Sequence, residues 1–414
     1  MSEPGTLTLN PHSFHDVRVG TRRVLFHVPT SALFELDEVG REVLDLAKSR
    51  PRLTEAAVRE WYQGRSAGAR PLSVAEIAEA LHDLKRLEVL RAAPAQDAPD
   101  REIRIREFPL STLVLNVNTG CNLSCSYCYK EDLDTPAHGK RMSFDTAREG
   151  IELLLREGHA RDKLNVVFFG GEPLTNLPLI RRVVEYAEER CAQLGKSVDF
   201  SLTTNATLLT EEIADWLDGH RFGISVSIDG PQAVHDRRRR TVGGTGTYEV
   251  VAAKSRMLLA RYRSRPVGAR VTLSAGTTDV VGIHRHLKDE MGFAEVGFAP
   301  VTSSTVTSFN LAGEELRAVF EGMKTLGRQY RDAALDGRAI GFSNLNQLLS
   351  DLDEGRRKAL PCGAGVGLLA LDSAGALNLC HRFTGSELPT FGSAREGIDK
   401  EKLGHFLESA AERS

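Results

Sequence analysis

LVLNVNTGCNLSCSYCY, residues Leu113–Tyr129, is the stretch on which the reading of the chain turns. Its first half is a nearly unbroken apolar run, the pattern of a strand buried on both faces. Its second half sets Cys121, Cys125 and Cys128 in one short loop directly after that strand. Three thiolates at this spacing can hold three irons of a [4Fe–4S] cluster and leave the fourth iron open to another ligand. A closed tetrahedral zinc site asks for four ligands, and no fourth Cys or suitably spaced His follows. The chain has 6 cysteines in 414 residues, half of them in this loop. That distribution points to a thiolate-bound metal in a reducing compartment, not to a disulfide scaffold.

Working outward, strands and helices alternate. Leu113–Val117, Leu164–Phe169, Asp199–Thr203, Gly223–Ile228, Arg270–Leu273 and Glu295–Pro300 read as strands. Helical patterns lie between them at Ser143–Glu157 (Ser143 as N-cap), Leu179–Leu194, Glu211–Leu217 and Val281–Glu290. Apolar strands each followed by a helix predict a parallel sheet with helices outside, closing into all or part of a barrel. Chemistry then belongs at the C-terminal strand ends. The strand after the cysteine loop ends in Gly170–Gly171–Glu172–Pro173. Its glycines read as admitting a ligand close to the backbone, and Glu172 as a carboxylate for an ammonium group. Asp229 ends a later strand, where a general base would sit, although Asp before Gly-Pro is equally a turn signal. The Arg237–Arg240 run reads as a solvated loop or as a clamp for acidic side chains. Cys191 shares a helical face with Ile180, Val183, Val184 and Ala187 and is expected in the core.

Ahead of this region, Gly20–Thr21 separates two β-prone runs, Asp16–Val19 and Val24–Val28, as in a hairpin. Helices are expected at Leu36–Ala47 and at Val74–Leu87, the second capped by Ser73, and a short β piece at Val89–Arg91. Ala92–Asp100, rich in Ala, Pro and Asp, reads as a linker. Boundaries of 1–100, 101–345 and 346–414 follow. A net charge of −3 gives no reason to expect nucleic-acid or membrane-surface binding. No secretory signal and no apolar run of about 20 residues is found, so a cytoplasmic protein is expected.

Cys121–Cys128 and Gly170–Pro173 together resemble the radical S-adenosylmethionine superfamily. The resemblance implies a partial (β/α)6 barrel holding a [4Fe–4S] cluster on Cys121, Cys125 and Cys128. Its open iron would bind the amino and carboxylate groups of S-adenosylmethionine, with Glu172, beside Gly170 and Gly171, on the amino group and Tyr127 against the adenine. Thr203–Thr204–Asn205 resembles the family's turn after a strand, which adds Asn205 to the cofactor site. Ser227–Pro231, His235–Asp236 and Arg239 resemble the segment by which peptide-modifying members contact the cofactor, with Ser227 and Arg239 on its ribose or carboxylate. One-electron reduction, by reduced flavodoxin or ferredoxin, would yield a 5′-deoxyadenosyl radical that takes a hydrogen atom from substrate. Cys362 and Cys380 flank Gly375 in a pattern similar to the opening of a SPASM domain, which carries auxiliary iron–sulfur clusters. The further cysteines of such a domain do not follow, so an auxiliary cluster here is expected to be incomplete or to use other ligands. The N-terminal unit resembles the winged-helix-like RiPP recognition element, which implies a ribosomal peptide or small-protein substrate carrying a leader.

The implied reaction is thioether formation between a substrate Cys sulfur and an Asp or Glu methylene carbon, with Asp229 as the base. Rival readings are a carbon–carbon crosslinking or formylglycine-forming relative, and a peptide-binding chaperone that keeps a cluster for structure.

Overall fold

The computed structural model describes residues 6–50, 52–63, 73–92, 110–128, 139–301, 307–354 and 363–411. The chain divides into one unit of residues 1–102 with 348–358 and a second of residues 103–347 with 359–414.

In the first unit, β1 (Thr6–Leu9), β2 (Phe14–Val19), β3 (Arg22–His27) and β4 (Ala32–Glu35) precede α1 (Glu38–Ser49), β5 (Leu53–Thr54), α2 (Glu55–Gln63), α3 (Val74–Arg86) and β6 (Leu90–Ala92). The hairpin forms as expected, with Gly20 at φ 61° in its turn, and β4 extends it into a β2–β3–β4 meander. A second sheet pairs β1 with β5 and β6. Ser73 caps α3 in a full capping box with Glu76. Leu25, Val43, Leu44, Val58 and Val89 form a dry core. Arg23 is buried beside it, held by Asp16 (Nε–Oδ1 2.8 Å) and Asp45 (Nη2–Oδ1 2.6 Å). The guanidinium beside Asp16 holds that carboxyl down at about 2. A buried cation is tolerable here because both anions reach it with hydrogen bonds.

The second unit is a βα array. Its elements are β7 (Thr112–Asn118), α4 (Phe144–Glu157), β8 (Lys163–Gly170), α5 (Leu177–Gln193), β9 (Ser197–Thr204), α6 (Glu211–Gly219), β10 (Gly223–Ser227), α7 (Gln232–Arg238), α8 (Tyr248–Arg261), β11 (Gly268–Leu273), α9 (Val280–Arg285) and β12 (Glu295–Pro300). Then come α10 (Gly313–Leu335), α11 (Ser343–Asp353), β13 (Leu368–Leu371), β14 (Leu377–Asn378), a small β15–β16 pair (Gly392–Ser393, Gly397–Ile398) and α12 (Lys400–Ala411).

Strands β7 to β12 are parallel and lie side by side in chain order. This is the expected partial (β/α)6 barrel. The six predicted strands form within a residue or two of their expected ends. The C-terminal segment does not stand apart: β13 adds in parallel to β7, and β14 turns back on β13. Cys191 is buried on α5, as expected. Cys362 lies outside the described residues, as does the linker after Ala92.

The barrel wall is held by apolar burial. Leu113, Val114, Leu115 and Val117 of β7 are at most 1% exposed, each stabilising the fold by roughly 1.5–3 kcal/mol. Phe168 of β8, Phe200 of β9 and Phe222, which directly precedes β10, stack with centroids 5.5–6.1 Å apart. Truncating Phe168, which is fully buried, leaves a cavity that neighbouring strands cannot fill. Phe168→Ala is expected to lower unfolding stability by about 3–5 kcal/mol in urea titrations; a loss under 1 kcal/mol would show that this stack carries little.

Candidate functional site

The cysteine loop is fixed to the strand ends by backbone. β7 carries an irregularity between Asn116 and Asn118, which bends its end toward β8. There Gly171 N–H donates to the Asn118 carbonyl (2.8 Å) and Glu172 N–H to the Gly120 carbonyl (3.2 Å). A Cβ on Gly170 would stand 2.2 Å from the Asn118 oxygen, and one on Gly171 2.1 Å from the Gly120 oxygen. The glycines are therefore required for this loop-to-loop contact, where the sequence reading had them making room for a ligand. Both still line the cavity.

That cavity holds about 730 Å³ of open space and is lined by all three loop cysteines, Tyr127, Glu172, Asn205, Ser227 and Arg239. The structure thus gathers the expected barrel residues around one opening at the C-terminal strand ends. Asp229 sits behind them, 2% exposed. Cys380 is half-buried against the barrel core.

The sulfur environment fits a thiolate-bound cluster. Leu123 N–H points at Cys121 Sγ (3.4 Å), as does Asn205 Nδ2 (3.8 Å), so this sulfur is set up as an acceptor. Burial pushes the Cys121 thiol up to about 12 and Cys125 to about 11. Bare thiols here stay protonated, and coordination to a cation is what favours the thiolate. Among the described residues, no three His, Cys, Asp or Glu side chains converge as one metal ion requires. A cluster takes one thiolate per iron and does not need that convergence.

Glu172 is 1% exposed. Its carboxylate accepts from Leu174 N–H (3.0 Å) and Thr204 Oγ1 (2.8 Å) on one oxygen and from Asn205 N–H (2.7 Å) on the other. Three acceptor sites of about four are used, which leaves one for a ligand donor. Burial raises its pKa to about 7 in spite of these donors. The Asn205 amide links the β9 end to the cysteine loop through Asn122 Oδ1 (2.9 Å).

Tyr127 O–H donates to Asp229 Oδ2 (2.5 Å), and Arg239 Nε donates to the same oxygen (3.0 Å). Thr272 N–H donates to Asp229 Oδ1 (3.0 Å). The Arg239 guanidinium lies 5.4 Å from the Tyr127 ring centroid. Behind them, Asp229 N–H donates to His235 Nδ1 (3.3 Å), and His235 Nε2 meets Thr247 Oγ1 (3.0 Å). Thr247 donates its own hydroxyl proton to the Arg239 carbonyl (3.0 Å), so His235 is a neutral Nε2–H tautomer, and burial takes its pKa down to about 4.

The other arginines of the run face elsewhere: Arg237 donates to the Gly276 carbonyl, Arg240 to the Asp236 carbonyl, and Arg238 stacks on Phe309. The sequence reading missed Asn118, Asn122 and Thr247 as partners; it carried His235 only within the segment that the resemblance marked.

The raised pKa of Glu172 has a measurable consequence. Its protonated form is favoured in the folded, ligand-free protein, so this term is fully present below about pH 4.5 and is lost as pH rises through about 7. Ligand-free protein is expected to lose roughly 3 kcal/mol from this group between pH 4 and pH 8. Urea unfolding of wild type and Glu172→Gln should show the extra pH slope only in wild type; equal slopes would contradict the assignment.

Residues 115–279 match the Radical SAM superfamily model. The cysteine-type anaerobic sulfatase-maturating enzyme of Clostridium perfringens is 29% identical over 188 residues, 44% of this chain and 49% of that protein. The chain spans 38–49% of the length of three curated relatives that it matches. Among solved structures, native anSMEcpe with bound AdoMet and Cp18Cys peptide is similar, with a TM-score of 0.62 at 20% identity over 73% of this chain and 83% of that one. Streptococcus suis SuiB is similar over more of the chain. Bound to S-adenosylmethionine it gives a TM-score of 0.52 at 15% identity, covering 97% and 90%. Bound to precursor peptide SuiA it gives 0.50 at 14% identity, covering 96% and 88%. At these identities the structural likeness speaks for the fold. Over residues 115–279 the chain is thus similar to the radical SAM superfamily, whose members work with a [4Fe–4S] cluster and S-adenosylmethionine.

Proposed function

We propose that this protein is a peptide-modifying radical SAM enzyme that forms intrapeptide thioether bonds between Cys sulfur and Asp or Glu methylene carbons. The observation that carries the enzyme reading is one cavity lined together by Cys121, Cys125, Cys128, Glu172, Asn205 and Ser227. Cys121, Cys125 and Cys128 would hold the cluster. Glu172 would offer its remaining acceptor site to the cofactor's ammonium, and Ser227 would face the ribose. When bound, these groups supply a carbon-centred radical that takes a hydrogen atom from substrate. Burial of Glu172 makes its charged form depend on such a cation, so binding and ionisation reinforce each other. Asp229 would serve as base through the remaining acceptor site of Oδ1, since Tyr127 and Arg239 both donate to Oδ2.

A peptide substrate is supported by the relatives. SuiB is seen with a precursor peptide and anSMEcpe with a peptide, and the Clostridium perfringens relative is a sulfatase-maturating enzyme. In the first unit, β2 and β4 are the edges of their meander, with Val17, Val19 and Leu33 exposed. An extended leader could add to such an edge as a strand. The segments Phe14–Glu38 and Cys380–Gly392 resemble the quinohemoprotein amine dehydrogenase maturation protein. On that resemblance the substrate is the small subunit of the dehydrogenase, and the reaction takes place in the cytoplasm with reduced flavodoxin or ferredoxin as donor. Among the described residues no helix is long and apolar enough to cross a membrane.

Formylglycine formation is the second reading, and the match to the sulfatase-maturating enzyme favours it. Two measurements separate the readings. Anaerobically reconstituted, reduced protein should release 5′-deoxyadenosine from S-adenosylmethionine, and Cys125→Ala should abolish that release; no release from wild type removes the enzyme reading. The co-produced small subunit should lose two hydrogens per crosslink, with its thiols blocked to alkylation. An unchanged mass with free thiols removes the thioether assignment.

A further inference from the structure

The Arg239 guanidinium occupies an unusual place. It is 7% exposed, yet it lines the cavity beside Cys125 and Cys128. Its position is set by backbone as well as by charge. Ser124 N–H donates to the Arg240 carbonyl (2.8 Å) and Ser126 N–H to the Arg238 carbonyl (3.0 Å). The segment around Arg239 is thereby clamped along the cysteine loop on both sides of Cys125, and Leu123 bridges to Thr241. Arg239 Nε goes to Asp229. The guanidinium carries its positive charge on the cavity wall that the three loop cysteines share. Asp229, in turn, accepts from Tyr127, Arg239 and Thr272. The pair is thus a fixed dipole with its cationic end on the cavity wall beside the proposed cluster ligands.

We propose that Arg239 and Asp229 are positioning residues that set the reduction potential of the cluster on Cys121, Cys125 and Cys128, with opposite signs. This rests on the cluster reading above. Cluster potentials respond to nearby net charge and to hydrogen bonds on the sulfurs. Reduction adds one negative charge. Arg239 beside Cys125 stabilises that charge and raises the potential, and Asp229 partly cancels Arg239 and lowers it. The low-dielectric surroundings keep both effects from being screened.

The test is a redox titration of reconstituted protein, followed by the electron paramagnetic resonance signal of the reduced cluster, with iron content confirming loading. At a solution potential poised at the wild-type midpoint, Arg239→Gln should lower the reduced-to-oxidised ratio about tenfold, which is about 59 mV for a one-electron couple. Asp229→Asn should raise the ratio several-fold, because it leaves Arg239 uncompensated. Arg239→Lys keeps the charge and should stay within about threefold of wild type. Should Arg239→Gln fail to fold with Asp229 left unpaired, the double variant Asp229→Asn/Arg239→Gln removes both charges. It must still fall below wild type, since Arg239 lines the cavity beside Cys125 and Asp229 does not. Unmoved ratios, or shifts of one sign in both single variants, overturn the proposal. A potential unchanged in Asp229→Asn, together with lost crosslinking, assigns Asp229 as the base instead and also overturns it. Wild-type protein that binds no iron sinks the cluster reading itself, a result distinct from all of these.

Discussion

The site depends on how closely the ends of β7 and β8 approach one another. Asn118 and Gly120 on one side meet Gly170, Gly171 and Glu172 on the other, backbone to backbone. No side chain can stand between them. This contact gives the cysteine loop its direction, because Gly120 is both the acceptor for Glu172 N–H and the residue before Cys121. It also turns Glu172 inward, where Leu174, Thr204 and Asn205 meet its carboxylate. Two motifs far apart in sequence are therefore one object, and neither can shift without moving the other.

The barrel was legible because its strands are short apolar runs and its first helices have clear caps. β7 to β12 and α4 to α6 follow from that pattern alone. α7 and α8 were not legible: α7 ends in an arginine run that reads as loop, and the apolar residues of α8 form no sharp stripe. In the first unit β1 and β4 were missed, since four residues each give little periodicity and β1's partners β5 and β6 lie far along the chain. The pairing of the C-terminal segment with the barrel sheet was not legible for a similar reason. β13 is a four-residue apolar strand whose place beside β7 is set by burial against the barrel, which local sequence does not express.

Within the site, residue types that advertise chemistry were found from sequence, and the groups that hold them were not. Cys121, Cys125, Cys128, Glu172 and Asn205 belong to recognisable motifs. Cys121 and Glu172 are met largely by backbone N–H groups, of Leu123, Leu174 and Asn205, which no residue identity announces. The arginine run shows the same limit. Three of its members are spent on backbone carbonyls or a phenyl ring, and only Arg239 turns into the cavity wall.

The two buried carboxylates at the barrel mouth are neutralised in different ways, and that difference orders the chemistry. Asp229 already has a cation, Arg239, and a phenol, so a further cationic ligand gains little by approaching it. Glu172 has only neutral donors, and burial lifts its pKa to about 7, so its charge is uncompensated and one acceptor site is open. A ligand bearing an ammonium group is therefore drawn to the Glu172 side of the cavity. The Asp229–Arg239 side keeps its charges paired and fixed against the cysteine loop. An open acceptor and a fixed, paired charge thus fall to different walls of one cavity, each wall set by which partner its carboxylate was given.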